Sequence, residues 1–383
     1  MELQTELDSL DAQHMRRSLR SVEQNEGARL QVQGKPLLNF SSNNYLGLAR
    51  HPQVVDAVRQ VLDHWGAGTG SSRLISGTSV IHHDLEQALA AFMETEAALV
   101  FPSGYMANLG VVTALVGEGD AIIMDRLCHA SLIDAARLSG ARLFIYGHAD
   151  LAEAERALKR TASYRRRLLV SDSLFSMDGD FAPLPELAAL AQQAGAITIL
   201  DEAHAIGIWG EHGRGARAMA DQTSDWDVVV GTLSKALGSQ GGFVCGSQAL
   251  IDTLINKARS FIYTTGLSPT CVAAAHAALS LIQEDSVPRK RLHGLAHYLR
   301  EGLRGLGFDT LDSESQIVPI LLGSAEKALT CAAHLEGAGI YAPAIRPPTI
   351  HAGECRIRFS VTAEHTEKDI DQLVNALSRW RKS

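Results

Sequence analysis

Seven short apolar runs, at residues 97–101, 121–124, 142–146, 167–171, 196–200, 227–230 and 242–245, recur through the middle of the chain and leave few folds open to it. Each has the length of a strand and is too short for a helix. Between several of them lie segments such as 150–159 and 184–193, where apolar residues return at helical spacing. Strands alternating with amphipathic helices predict an α/β fold: a mostly parallel, seven-stranded sheet covered by helices on both faces. Ligands of such sheets collect at the carboxyl ends of the strands.

The rhythm changes beyond residue 270. Helical patterns at 270–283 and 287–306 precede strand patterns at 316–322, 340–345 and 355–361, with further helices at 325–335 and 366–382. This reads as a smaller C-terminal α/β domain over 271–383, beside a large domain over 46–270. Residues 1–45 read as an N-terminal arm, a helix and a short hairpin too small to fold alone.

Composition narrows the function classes. A net charge of −8 over 383 residues speaks against a nucleic-acid or anionic-membrane surface and favours small-molecule chemistry. The acidic opening at residues 1–8 lacks the basic and apolar stretches of a signal peptide, and no apolar run reaches the roughly 18 residues of a spanning helix. The expectation is a cytoplasmic protein that engages no membrane. The five cysteines form no C-x-x-C pair, so neither a disulfide framework nor a metal site is expected.

Two residues carry most of the chemistry. Asp201 closes the run at 196–200 and opens Asp201-Glu202-Ala203-His204, while Lys235 follows the run at 227–230 within Thr232-Leu233-Ser234-Lys235. A lysine amine can form a Schiff base with an aldehyde, and a carboxylate can keep a pyridine nitrogen protonated. The pair therefore points to pyridoxal 5'-phosphate (PLP). Taken alone, Asp201 and His204 also fit an ordinary strand-end turn, and most lysines are solvated surface groups.

Other segments allow two readings each. Residues 101–108 follow a strand and open a helix, so Ser103 and the backbone N–H groups there either receive a phosphate or form an ordinary capped turn. His129 is either a satisfied core histidine or a ring that stacks on a cofactor. Arg356 and Arg358 either grip a carboxylate or alternate along an edge strand.

Taken together, these residues make the chain similar to the α-oxoamine synthases, PLP-dependent transferases of fold type I, along essentially its whole length. The resemblance rests on Asn39 to Gly47, Ser72 to Gly77 with His82, Ser103-Gly104-Tyr105, Asp125-Arg126 with His129 to Ser131, Phe175 to Gly179, Asp201 to His204, Thr232 to Lys235 and Ile262 to Thr265. The stretch from Ala344 to Thr349, followed by Arg356 and Arg358, resembles the members that condense L-alanine with a pimeloyl thioester in biotin biosynthesis. Sister enzymes that use glycine or long acyl thioesters, and noncatalytic subunits of the same fold, are the alternatives.

The resemblance implies roles for individual residues. Lys235 carries PLP, Asp201 pairs with its ring nitrogen, and His129 stacks on the ring. His204 and Ser176 lie near the phenolic oxygen. Gly104, Tyr105 and Thr232 bind the phosphate, joined by Thr264 or Thr265 from a second subunit, so the active unit is expected to be a homodimer. Arg358 holds the amino acid carboxylate, while Arg20, Asn43 and Thr349 lie near the acyl chain. The acyl donor is carried by coenzyme A or by an acyl carrier protein.

Overall fold

The computed structural model describes residues 2–219 and 226–382. Its chain falls into two compact units, one formed by Leu48–Phe175 and Phe181–Ser286, the other by Met1–Gly47, Ser176–Asp180 and Val287–Ser383. The boundaries differ from those read in the sequence. Helix Pro269–Glu284 packs against helix Pro52–Trp65 in the first unit, and the N-terminal strands pair within the second.

The first unit is built on a seven-stranded sheet of β1 (Ala97–Phe101), β2 (Ala121–Asp125), β3 (Arg142–Tyr146), β4 (Arg167–Asp172), β5 (Ile197–Asp201), β6 (Val228–Thr232) and β7 (Gly242–Gly246), in the order β1-β7-β6-β5-β4-β2-β3. Only β7 runs against the rest. Strands covered on both faces carry unbroken apolar runs, and β2 is buried at every position. Fully buried Ile122, Val170 and Ile199 each stabilise the sheet by about 1.5–3 kcal/mol through the apolar surface they remove from water. Helix Gly104–Leu115 contributes Ala107, Val111 and Val112 to the same core.

Three neighbouring strands, β2, β4 and β5, each run one residue further than the apolar pattern suggests and end on an aspartate: Asp125, Asp172 and Asp201. The ladder between β4 and β5 continues to the Asp172–Asp201 pair, because backbone pairing does not depend on side-chain polarity. β7 meets the first turn of helix Gly104–Leu115 closely. A Cβ at Gly242 would lie 2.5 Å from the Gly104 nitrogen, so only glycine fits there.

The second unit holds two small sheets. Strands Val22–Glu26, Arg29–Val32 and Lys35–Asn39 form an antiparallel meander, and Ile340–Tyr341 adds in parallel. The other sheet has the order Ile317–Gly323, Cys355–Ser360, Ala344–Ile345. The stretch expected as one strand at 340–345 is therefore two, split at Ala342-Pro343, where proline offers no N–H to a ladder. Helix Val287–Gly305 buries Leu292, Leu295, Ala296, Leu299 and Leu303, one apolar stripe at helical spacing. Gly179 holds the inserted segment Ser176–Asp180 in place: its φ is 78°, and its carbonyl accepts from the N–H groups of Glu314 and Ser315.

No helix among the described residues is long and apolar enough to cross a membrane. The five cysteines are free thiols, four of them buried.

Candidate active site

The carboxyl ends of β4, β5 and β6 open on a cavity of about 190 Å³ whose lining includes His129, Asp172, Asp201, His204, Thr232 and Lys235. His204 lies three residues beyond the end of β5, and Lys235 three beyond the end of β6. Parallel neighbours thus bring together two side chains 31 residues apart: Lys235 Nζ is 2.9 Å from His204 Nε2. Lys235 is half-buried and His204 buried.

Asp201 is buried and its carboxylate is held on both oxygens. Oδ1 accepts the Ala203 N–H at 2.9 Å, and Oδ2 accepts the Asn108 side-chain amide at 2.7 Å. The second amide hydrogen of Asn108 goes to Ser131 Oγ at 2.9 Å, and Ser131 Oγ lies 2.7 Å from His129 Nδ1. His129 itself remains exposed, which leaves a ring face open to a planar ligand. Desolvation by the groups crowding it lowers its pKa from the usual value; Asp201 works in the opposite direction and Lys235 in the same one.

Asp172 lines the cavity beside Asp201, and its Oδ1 accepts the His129 backbone N–H at 3.3 Å. Burial, followed by the neighbouring Asp201 charge, raises its pKa well above the usual carboxylate value. Asp172 therefore retains its proton more readily than an ordinary carboxylate. Burial likewise raises the Cys128 thiol well above its ordinary value, which makes it inert packing.

At the other side of the cavity, helix Gly104–Leu115 begins at Ser103, whose Oγ caps it by accepting the Met106 N–H at 3.2 Å. The first N–H groups of a helix lack intrahelical partners and favour an anion. The Thr232 hydroxyl donates to the Gly241 carbonyl at 2.9 Å and accepts from Ser234 N–H at 3.1 Å, so it props the loop that carries Lys235. Tyr105 donates its hydroxyl to Asp134 at 2.6 Å. An amine, a deep carboxylate, an open imidazole face and a helix start suit a pyridine that carries an aldehyde and a phosphate.

Of the residues singled out in the sequence, Gly104, Tyr105, His129, Asp201, His204, Thr232 and Lys235 meet at this cavity. The described residues that line it do not include Thr264 or Thr265; that segment pairs with Ser72 through an isolated bridge at Thr265. The second unit gathers another set. Buried Arg358 donates to Asn43 Oδ1 at 3.2 Å, to Tyr45 Oη at 3.1 Å, to Ser360 Oγ at 2.6 Å and to the Ser176 carbonyl. Arg20 meets Glu336 through both terminal nitrogens at 2.7 and 2.9 Å, and Thr349 is exposed. Asn108, Ser131 and Asp172 were not singled out. Asp172 has the same strand-end signature as Asp201, which could have marked it; Asn108 and Ser131 are short polar residues in the opening turns of helices and carry no such signal.

The family of aminotransferases of class I and II matches residues 35–377. The chain is 47% identical to an 8-amino-7-oxononanoate synthase of Geobacter sulfurreducens over 379 residues, covering 98% of this chain and 97% of the relative. It is 46% identical to a second protein of that name from Geobacter metallireducens over 371 residues, covering 96% and 95%. Among solved structures, a serine palmitoyltransferase from S. paucimobilis with a bound PLP–myriocin aldimine superposes with a TM-score of 0.94 at 32% identity, covering 99% of this chain and 96% of that one.

Proposed function

Because the chain belongs to the 8-amino-7-oxononanoate synthases of the class I and II aminotransferase family, we propose that it condenses L-alanine with a pimeloyl thioester. The products are 8-amino-7-oxononanoate, carbon dioxide and the free thiol, a step of biotin biosynthesis. The single observation that carries the reading is that the Lys235 amine and the buried Asp201 carboxylate line one cavity at the ends of adjacent strands.

PLP, when bound, supplies an electrophilic aldehyde and a ring that accepts the electron pair left at the amino acid Cα. Lys235 would hold it through its amine, and the same amine would carry the Cα proton. Asp201 keeps the ring nitrogen protonated, and Asn108 holds that carboxylate in place. His204 sits against the Lys235 amine, where it would orient the nitrogen; His204 and Ser176 are assigned to the phenolic oxygen. His129 would stack on the ring and shield that face from water. Gly104, Tyr105 and Thr232 are assigned to the phosphate.

Arg358 is assigned to the amino acid carboxylate, and Asn43, which accepts from it, to the acyl chain; a guanidinium already ordered by four partners loses little freedom on gripping an anion. Arg20 and Thr349 are assigned to the acyl chain. The working unit is a cytoplasmic homodimer in which Thr264 or Thr265 of a second copy completes the phosphate site. Either coenzyme A or an acyl carrier protein delivers the acyl group.

Borohydride reduction of the PLP-loaded protein, followed by peptide mass mapping, tests the site. The pyridoxyl group is expected on the peptide that contains Lys235. A label on any other lysine would remove the assignment.

A further inference from the structure

We propose that Asn108 and Ser131 are positioning residues that hold His129 as a neutral ring with its proton on Nε2, tying the state of that ring to the Asp201 carboxylate. The inference rests on the reading above, in which His129 covers the cofactor.

The direction of each hydrogen bond follows from groups that can act in only one sense. The Ser131 backbone N–H can only donate, and it lies 3.3 Å from His129 Nδ1. Nδ1 must therefore present its lone pair, which leaves the ring proton on Nε2. The Asn108 amide is oriented by the Asp201 carboxylate, an acceptor alone: its NH₂ faces Asp201 Oδ2 at 2.7 Å, since the opposite orientation would set oxygen against oxygen. The other amide hydrogen occupies a lone pair of Ser131 Oγ at 2.9 Å. Because Nδ1 is bare, the Ser131 hydroxyl donates its own proton to it, 2.7 Å away.

The links between Asp201 and the exposed His129 ring are nearly dry, for Asn108 and Ser131 are 2% and 0% exposed. Among the described residues Asn108 Oδ1 has no partner, so the amide gives up one bond to keep both donors in the chain. A proton on Nδ1 would face the Ser131 N–H directly, and an imidazolium is disfavoured for that reason as well as by desolvation. A neutral ring can lie on a protonated pyridine without like-charge repulsion. Its outer Nε2–H is then a hydrogen-bond donor toward substrate oxygen, and His129 is not a base.

The test is the ¹⁵N spectrum of the PLP-loaded protein labelled at its histidines, with His129 assigned by its disappearance in His129→Gln. Wild type is expected to show Nδ1 as a bare acceptor and Nε2 protonated. In Ser131→Ala the loss of one hydrogen bond worth about 1 kcal/mol should raise the share of the Nδ1–H form about fivefold, and Asn108→Ala should shift it in the same direction. Ser131→Thr, which keeps the hydroxyl, should restore the wild-type spectrum. Retention of the visible cofactor band in each variant shows that the site still assembles. A protonated Nδ1 in wild type, or variants whose tautomer matches wild type while the band is kept, would overturn the proposal. Failure of PLP to attach at Lys235 is a separate result, read by the mass mapping, and would overturn the underlying reading instead.

Discussion

Lys235 Nζ and His204 Nε2 lie 2.9 Å apart, each three residues past the end of one of two adjacent parallel strands. The contact sets the amine's direction before any cofactor arrives. On the proposed roles, Lys235→Ala would remove both the anchor and the proton carrier, and kcat should fall by at least about 10²–10⁴-fold. His204→Asn loses only an orienting bond worth about 1.5–3 kcal/mol, so kcat should fall roughly 10- to 100-fold while the visible cofactor band survives. Steady-state rates and absorbance spectra of the two variants check this; equal losses in both would count against the division of roles.

The Arg73–Glu86 pair is buried, with side chains 5% and 9% exposed and two bonds of 2.9 and 3.0 Å; Glu86 also accepts the Val100 N–H of β1 at 3.0 Å. Glu86→Ala would strand a buried guanidinium and a strand N–H at once. The expected cost is about 3–5 kcal/mol in denaturant unfolding, and replacing Arg73 by Met in the same chain should recover part of it. A loss below about 1 kcal/mol would mean that solvent reaches the pair.

His365 is fully buried, stacked on Phe40 with ring centroids 4.3 Å apart, and its Nδ1 accepts from the Thr362 N–H. Burial lowers its pKa to about 4, with Asp369 opposing. Near pH 7 the ring is neutral whether folded or unfolded. As pH falls below about 6.5 the unfolded chain takes up a proton that the folded chain refuses, so stability declines until pH 4, by about 3 kcal/mol when complete. His365→Gln should flatten this part of the stability–pH curve measured in urea; an unchanged slope would exclude His365 as its source.

Gly179 has a φ of 78°, and a Cβ there would come within 2.1 Å of the Ile317 carbonyl. Gly179→Ala should therefore destabilise by more than the about 1–3 kcal/mol of backbone strain alone, because the strand at Ile317 must also move. Thermal unfolding measures it, and a variant as stable as wild type would contradict the close approach.

The strands of the large sheet were legible because burial on both faces demands apolar runs at every position, and helical spacing marked the helices between them. Asp201 and Lys235 stood out for a related reason: a charged group at the end of an apolar strand contradicts its surroundings. Asn108 and Ser131 offered no such contradiction, since short polar residues are ordinary in the first turns of a helix and their role emerges only when β5 brings Asp201 alongside. The division into units was also hidden. Whether residues 1–47 and 176–180 join the C-terminal segment depends on pairings such as Lys35–Asn39 with Ile340–Tyr341, between segments about 300 residues apart. Arg20 shows a similar limit, because its bidentate partner Glu336 is 316 residues away.

The central claim is the reaction itself, and product mass tests it most directly. The PLP-loaded protein is offered L-alanine with a pimeloyl thioester, glycine with acetyl or succinyl thioesters, and L-serine with a palmitoyl thioester, each on coenzyme A and, for the pimeloyl chain, also on an acyl carrier protein. The dominant product should be 8-amino-7-oxononanoate, with release of one carbon dioxide per turnover. Preferred turnover of any glycine or serine pair, or no condensation by a protein that carries PLP on Lys235, would contradict it.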